Sequence, residues 1–360
     1  MKKLQSITIP VLSVILGLLI GAIVMVIFGY DPVNAYSSLF KGSLGDLKAF
    51  GTAIKTATPL IFTGLGFSVA STAGFFNVGL AGQALMGWLC GVLVASWMPE
   101  APSIVVIPIA LLAAAVGGAL WAAIAGVLRA YFNASEVIVT IMLNYIAVKI
   151  SDDFLYTVLD TSRLVAPDQA SLKAEWLKNL TNGSQIHTGI FYAIVAVIII
   201  HLLMTRTTIG FELKSVGMNR HASQYAGMNA KRNIILAMVI SGALAGLGGA
   251  MNGLGEFGYL FKMDGVAPAI GFDGMAVALL GMNHPIGILA ASILFGSLKT
   301  GGNFMQLAGT PPELINIVIG LIIFFIGIKY IVTYFFDRKE RKKAAMLMTK
   351  VEQLAKGGGE

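Results

Sequence analysis

The chain has 360 residues, of which 56% are hydrophobic and 12% charged, with a mean hydropathy of +0.80. A soluble domain carries about a quarter of its residues charged, so a water-soluble globular enzyme is excluded and an integral membrane protein is expected. The net charge of +7 sits mostly in loops and in a basic tail, where anionic lipid headgroups account for it without nucleic acid.

Lys2 and Lys3 precede an apolar run from Val11 to Phe28. No short hydrophobic core followed by a cleavage site interrupts it, so an uncleaved first span is expected. Further blocks, such as Ile190 to Leu203 and Leu314 to Ile328, are long enough to cross a hydrocarbon core of about 30 Å. They lack the strict alternation of a barrel strand, which leaves helices. Ten segments follow in order, at 8–29, 53–75, 80–97, 103–127, 136–149, 188–204, 233–251, 269–282, 286–300 and 313–334. The third, fifth, eighth and ninth are short and are expected to be tilted, broken or buried. The expected fold is an all-α polytopic membrane protein. The sole cysteine, Cys90, lies in an apolar segment, so no disulfide framework forms within the chain.

With the N-terminus in the cytoplasm, Arg129, the Arg206–Arg232 loop and the tail from Arg338 share the inner side. This placement follows the positive-inside tendency, and both termini are then cytoplasmic. The loops 30–52 and 150–188, the second carrying Asp152, Asp153 and Trp176, face outward as places to meet an external partner.

Two stretches of the chain resemble each other. Pro108-Ile109-Ala110-Leu111-Leu112 matches Pro285-Ile286-Gly287-Ile288-Leu289, and Glu136 matches Glu313; 285 − 108 and 313 − 136 both give 177. Asn77 to Gly87 has a looser counterpart in Ile270 to Gly281. Five spans in each half make the second repeat enter the membrane inverted, a plan that places a binding region at the repeat interface. The expected divisions are 1–187, 188–335 with an internal loop at 205–232, and the basic tail 336–360. Glu136 and Glu313 are read as helix-start residues, with Asn133, Ser135 and Thr310 as nearby caps.

Polar and aromatic groups cluster at the glycine-rich breaks. The first break holds Phe75, Phe76, Asn77 and Gln83; its repeat mate holds Phe272 and Asp273; Asn144 lies in the fifth span. Rings that stack on a flat heterocycle and amides that bind its polar edges suit a nucleoside. An ionisable group inside the bilayer must be solvated or paired, which singles out Asp273. Packing within the helix bundle is the competing role for each of these residues. Gly242 to Gly249 is glycine-rich but lacks a Walker A ending, and the chain contains no such pattern. The four histidines form no metal-ligand motif.

The internal loop reads RTTIGFELKSVGMNRHASQYAGMN from Arg206 to Asn229. A short helix fits between Asn219, as cap, and Gly227, as terminator. This run resembles the coupling segment of bacterial ABC importer permeases that handle branched-chain amino acids, ribose-type sugars and nucleosides. STAGFFNVGLAGQALMG, IGFDGMAVALLG and GTPPELINIVIGLIIFFI resemble the nucleoside and simple-sugar branch, closest to the larger permease of a Gram-positive nucleoside or guanosine uptake system. The resemblance covers nearly the whole chain. It implies a second permease, preferably a different chain, and cytoplasmic ABC ATPases that hold ATP and Mg2+. It also implies an extracytoplasmic binding lipoprotein or protein that delivers nucleoside cargo. No cofactor or catalytic residue belongs to this chain. Asn219, Ala222 and Gly227 are the implied core coupling positions, with Arg206, Gly210 and Gly217 shaping the loop. Ribose-type or other simple-sugar transport is the alternative cargo reading. An ion-coupled secondary transporter or channel is the alternative of a different class, and it leaves the Arg206–Asn229 run without a role.

Overall fold

The computed structural model of the protein describes residues 2–327. The 336–360 tail and the end of the tenth expected span, 328–334, lie outside the described residues. Fourteen α-helices are described: α1 (Lys2–Ile27), α2 (Pro32–Leu44), α3 (Leu47–Thr72), α4 (Leu80–Ser96), α5 (Ser103–Phe132), α6 (Glu136–Asp153), α7 (Glu175–Leu180), α8 (Gly189–Arg206), α9 (Thr208–Met218), α10 (Arg220–Tyr225), α11 (Ala230–Ala250), α12 (Ile270–Leu280), α13 (Pro285–Leu307) and α14 (Pro312–Gly327). Each of the ten expected spans has its helix. Five are long and apolar enough to cross a membrane: α3, α5, α8, α13, and α11 continued through the π-helical turn Met251–Phe257. α4 and α12 are shorter apolar helices, as are the apolar parts of α1 and α14.

The chain divides into two units. In the first, Met1–Pro32 with Glu313–Glu360, α1 pairs with α14. Ser13 Oγ donates to the Phe325 carbonyl at 3.2 Å. A Cβ placed on Gly17 would lie 2.8 Å from Ile322 Cα, so the missing side chain sets how closely these helices approach.

The second unit, Val33–Pro312, is a bundle built around α3 and α11, which pack on each other. α3 also packs on α12 and α13; α11 packs on α4 and α5; α4 packs on α5, and α12 on α13. Exchanging α3, α4 and α5 with α11, α12 and α13 leaves this pattern of contacts unchanged. Small residues permit the closest approach. A Cβ on Gly118 of α5 would strike the Gly242 carbonyl of α11, and one on Gly246 the Ala114 carbonyl. Lipid-like surroundings provide no hydrophobic drive between helices, so such backbone contact supplies the packing energy. Trp88 of α4 lies over Gly253 in the π-helical turn that continues α11. It stacks on Phe257 at 5.4 Å and donates Nε1–H to the Tyr259 carbonyl at 3.2 Å.

The sequence shows no regular elements within 30–52 or 150–188, which it marks as outward-facing loops. The structure puts α2 in the first. In the second, α6 runs on into a π-helical turn at Phe154–Val158, α7 follows, and β1 (Arg163–Val165) pairs antiparallel with β2 (Tyr259–Phe261). Three-residue strands carry too few alternations to be read from a pattern. Asp152 adds a second tie, accepting from the Met263 N–H at 2.7 Å. Ser135 caps α6 by position but makes no side-chain capping bond. Glu136 instead pairs with Arg129 at 3.1 Å.

Candidate functional site

Two interrupted regions flank the centre of the second unit, one between α3 and α4, the other leading into α12. α3 ends at Thr72, Gly74 takes a left-handed φ of +85°, and the chain runs to α4 at Leu80. A helix start exposes N–H groups with no partner inside the helix. Here side-chain amides supply them. Asn77 Oδ1 accepts from Gly79 N–H at 3.0 Å, and Asn144 Oδ1, reaching over from α6, accepts from Gly82 N–H at 2.8 Å. Asn144 Nδ2 donates to the Val78 carbonyl at 2.9 Å. Asn77 and Gln83 bond reciprocally at 2.9 and 3.0 Å, and Asn77 Nδ2 also reaches Ser241 Oγ of α11 at 2.9 Å. All three amides are buried. Their groups engage one another and the backbone, so contact with cargo requires these bonds to part. The two rings of this break separate: Phe75 is 6% exposed, whereas Phe76 is 47% exposed and meets Phe67 edge-on at 5.2 Å.

α12 begins against this first break. A Cβ on Gly271 would lie 2.5 Å from Ala81 Cα, and one on Gly274 would strike Thr63 of α3. At 11 residues α12 is about 16 Å long, roughly half a hydrocarbon core. Its first turn turns Phe272 outward, 50% exposed. Asp273 forms an ion pair with Lys299 of α13. Lys299 was not among the residues singled out from sequence; a charge within an otherwise apolar segment was the available signal.

The 205–232 loop is folded and capped at each step. Thr207 accepts from Gly210 N–H at 3.1 Å to start α9, Asn219 from Ala222 N–H at 3.0 Å to start α10, and Asn229 from Arg232 N–H at 3.1 Å to start α11. Each cap satisfies one otherwise orphaned donor. Gly227 ends α10 with a φ of +83°. α9 is tied to three helices. Lys214 Nζ donates to the Met204 carbonyl of α8 at 2.6 Å, Asn233 of α11 donates to Glu212 at 2.8 Å, and Gly217 sits on the Thr72 carbonyl at the end of α3. Gly210 packs against Leu203 and Met204, and Arg206 closes α8. Beyond these ties, Met218 and Tyr225 are almost wholly exposed. The loop therefore joins a capped, exposed tip to the helix that leads into the first break.

The folded 150–188 loop frames a cavity of about 660 Å³ with Lys48, Lys55, Lys173, Lys178, Glu175 and Glu256 on its walls. Beneath it lies His187, almost fully buried, whose Nδ1 accepts from Gly189 N–H at 3.1 Å. Burial first, then Lys55 and Lys173, push its pKa down to about 4. Among the described residues no group of three or more His, Cys, Asp or Glu is arranged to hold a metal ion.

Residues 50–327 match the family of branched-chain amino acid transport system permease components. The chain is 42% identical to the nucleoside ABC transporter permease protein NupB of Lactococcus lactis subsp. cremoris, over 96% of this chain and 97% of that protein. It is 41% identical to the guanosine ABC transporter permease protein NupP of Bacillus subtilis, over 95% and 99%. To the glucose ABC transporter permease protein TsgB13 of Haloferax volcanii it is 32% identical, over 91% and 88%. No solved structure matches it significantly. The apolar helices and these near full-length matches agree: the chain belongs to the branched-chain amino acid transport permease family.

Proposed function

We propose that this chain is the membrane-spanning permease subunit of an ATP-driven importer of nucleosides. The carrying observation is its identity of 42% and 41%, over nearly whole chains, to permeases named for nucleosides and guanosine. The chain lies in the bacterial cytoplasmic membrane with both termini inside and its repeats inverted. It pairs with a second, different permease. ATP and Mg2+ belong to partner ATPases, a reading supported by the missing Walker A pattern. Those ATPases dock on the 205–232 loop. Asn219, Ala222 and Gly227 shape the docking helix α10, while Arg206, Gly210 and Gly217 hold the loop to α8 and α3. Its exposed Met218 and Tyr225 give a partner apolar surface to cover. The lysine-walled cavity and the 30–52 and 150–188 loops face the delivery protein.

Cargo passes beside the two interruptions. The half-exposed rings of Phe76 and Phe272 supply stacking surface, and Asp273 supplies a hydrogen-bond acceptor. Phe75, Asn77, Gln83 and Asn144 hold the first break in shape behind them and reach cargo only if its bonds open. ATP binding and hydrolysis pull on α9, and Gly217 passes that motion to the end of α3.

The test is competitive uptake of labelled guanosine into proteoliposomes that contain the whole complex. The expected result is ATP-dependent uptake, blocked by unlabelled nucleosides and unaffected by ribose, glucose or leucine. Simple sugars are the second reading, favoured by the 32% identity to a glucose permease; competition by sugars alone selects it.

A further inference from the structure

We propose that Lys299 is a cargo-selecting residue, and that its pairing with Asp273 makes this part of the pathway formally neutral; this rests on the pathway reading above. Lys299 lies within α13, one of the helices able to cross a membrane. A charge at that depth must face water, a partner or an opposite charge. Asp273 answers part of that need. Yet the pair is not sealed in: the Lys299 side chain is 29% exposed and that of Asp273 14%. Lys299 stands out among neighbours that are otherwise buried, from Phe295 to Gly302. The exposed side continues as Asn303 and Gln306, at i+4 and i+7, which places all three on one face of a helix. A face with a cation and two amides is unsuited to lipid. It suits a water-filled route along α13 toward Leu307.

The chemistry of the pair defines its ligand. Ammonium and carboxylate offer donors and acceptors side by side without net charge. Uncharged cargo with several hydroxyl and ring-nitrogen groups can use both. An anionic phosphorylated analogue meets the carboxylate, and a cationic one the ammonium.

The experiment uses the whole complex in proteoliposomes, with Cys90→Ser as background and Lys299→Cys added. A charged, water-soluble thiol reagent is expected to label position 299, with labelling slowed at least fivefold by saturating guanosine. Where Lys299→Cys fails to assemble, Asn303→Cys, one turn along the face, gives the same readout. A thiol that stays unlabelled in the assembled complex, or labelling that transported cargo leaves unchanged, overturns the proposal. Protection by a transported sugar, with none by guanosine, upholds the pathway and removes only the nucleoside reading. The exchanged pair Asp273→Lys with Lys299→Asp adds a second readout. A purely structural pair returns wild-type KM on exchange, which overturns the proposal. A cargo-contacting pair assembles with KM raised at least tenfold.

Discussion

The first interruption of the helices is held by a matched network of neutral amides and the second by a partly accessible ion pair, although they occupy corresponding places in the bundle. Between α3 and α4, three buried amides and a serine satisfy one another and the start of α4. At α12, the ion pair of Asp273 with Lys299 is only partly buried, and the ring of Phe272 is half exposed. Neutral amides lose little on burial when every donor and acceptor is matched. A carboxylate and an ammonium lose much more unless water or a ligand remains within reach. Under the proposed function this difference reads as a division of labour: the buried amides of the first break transmit shape, and the exposed groups, Phe76 at the first break and Phe272 with the ion pair at the second, meet cargo.

Substitution at the first break separates the two roles most sharply. Asn77→Leu removes the reciprocal partner of Gln83 and the acceptor for Gly79 N–H together. Leaving such groups buried and unpaired is expected to cost about 3 kcal/mol. Thermal unfolding of the detergent-solubilised complex measures it. A melting temperature equal to that of the wild type would erase the structural side of the comparison.

Acid acts next, through the segment that leads from α11 to the second break. His187 rests against Gly255, and its Nε2 is buried without a hydrogen-bond partner among the described residues. Its folded pKa of about 4 lies below the ordinary histidine value, so the unfolded chain takes up the proton first. Stability is therefore undiminished above the ordinary value and falls as pH drops toward 4. At pH 5 the loss amounts to about 2 kcal/mol. His187→Asn keeps an acceptor for Gly189 N–H and cannot titrate. Melting curves at pH 8 and pH 5 should therefore converge in this variant and diverge in the wild type.

At the second break the effect moves from stability to cargo. Phe272→Ala is expected to raise the KM for guanosine about tenfold, equivalent to about 1.4 kcal/mol, with a melting temperature near that of the wild type. Phe75→Ala should show the reverse, because that ring is buried. Equal behaviour of the two variants in both assays would remove the distinction between the buried ring and the half-exposed one.

The sequence displayed the helices more clearly than the bonds between them. Ten apolar blocks are visible because membrane spans need long uniform stretches. The cap at Asn219 and the stop at Gly227 are visible because they act within a few residues of themselves. The network of Asn77, Gln83, Asn144 and Ser241 spans up to 164 positions, and no local rule pairs residues so far apart. The same limit hid Lys299 from Asp273. Their helices follow one another in the chain, yet 26 positions separate the two residues. β1 and β2 escaped for another reason, since strands of three residues leave no period to detect.

The smallest effect probes how the first break is driven. α9 touches it through Gly217 on Thr72, while α10 depends on the Asn219 cap. Asn219→Ala removes that cap at a local cost of about 1 kcal/mol and leaves the α9 contact untouched. The complex should assemble and melt as the wild type does, with fewer guanosine molecules imported per ATP hydrolysed. Asn219→Arg, which adds bulk and charge at the same exposed position, should weaken ATPase association outright. Unchanged uptake per ATP in the alanine variant, with normal ATPase binding by the arginine variant, would detach α10 from the coupling path. The tie at Gly217 would then be left as the route by which α9 acts on the first break.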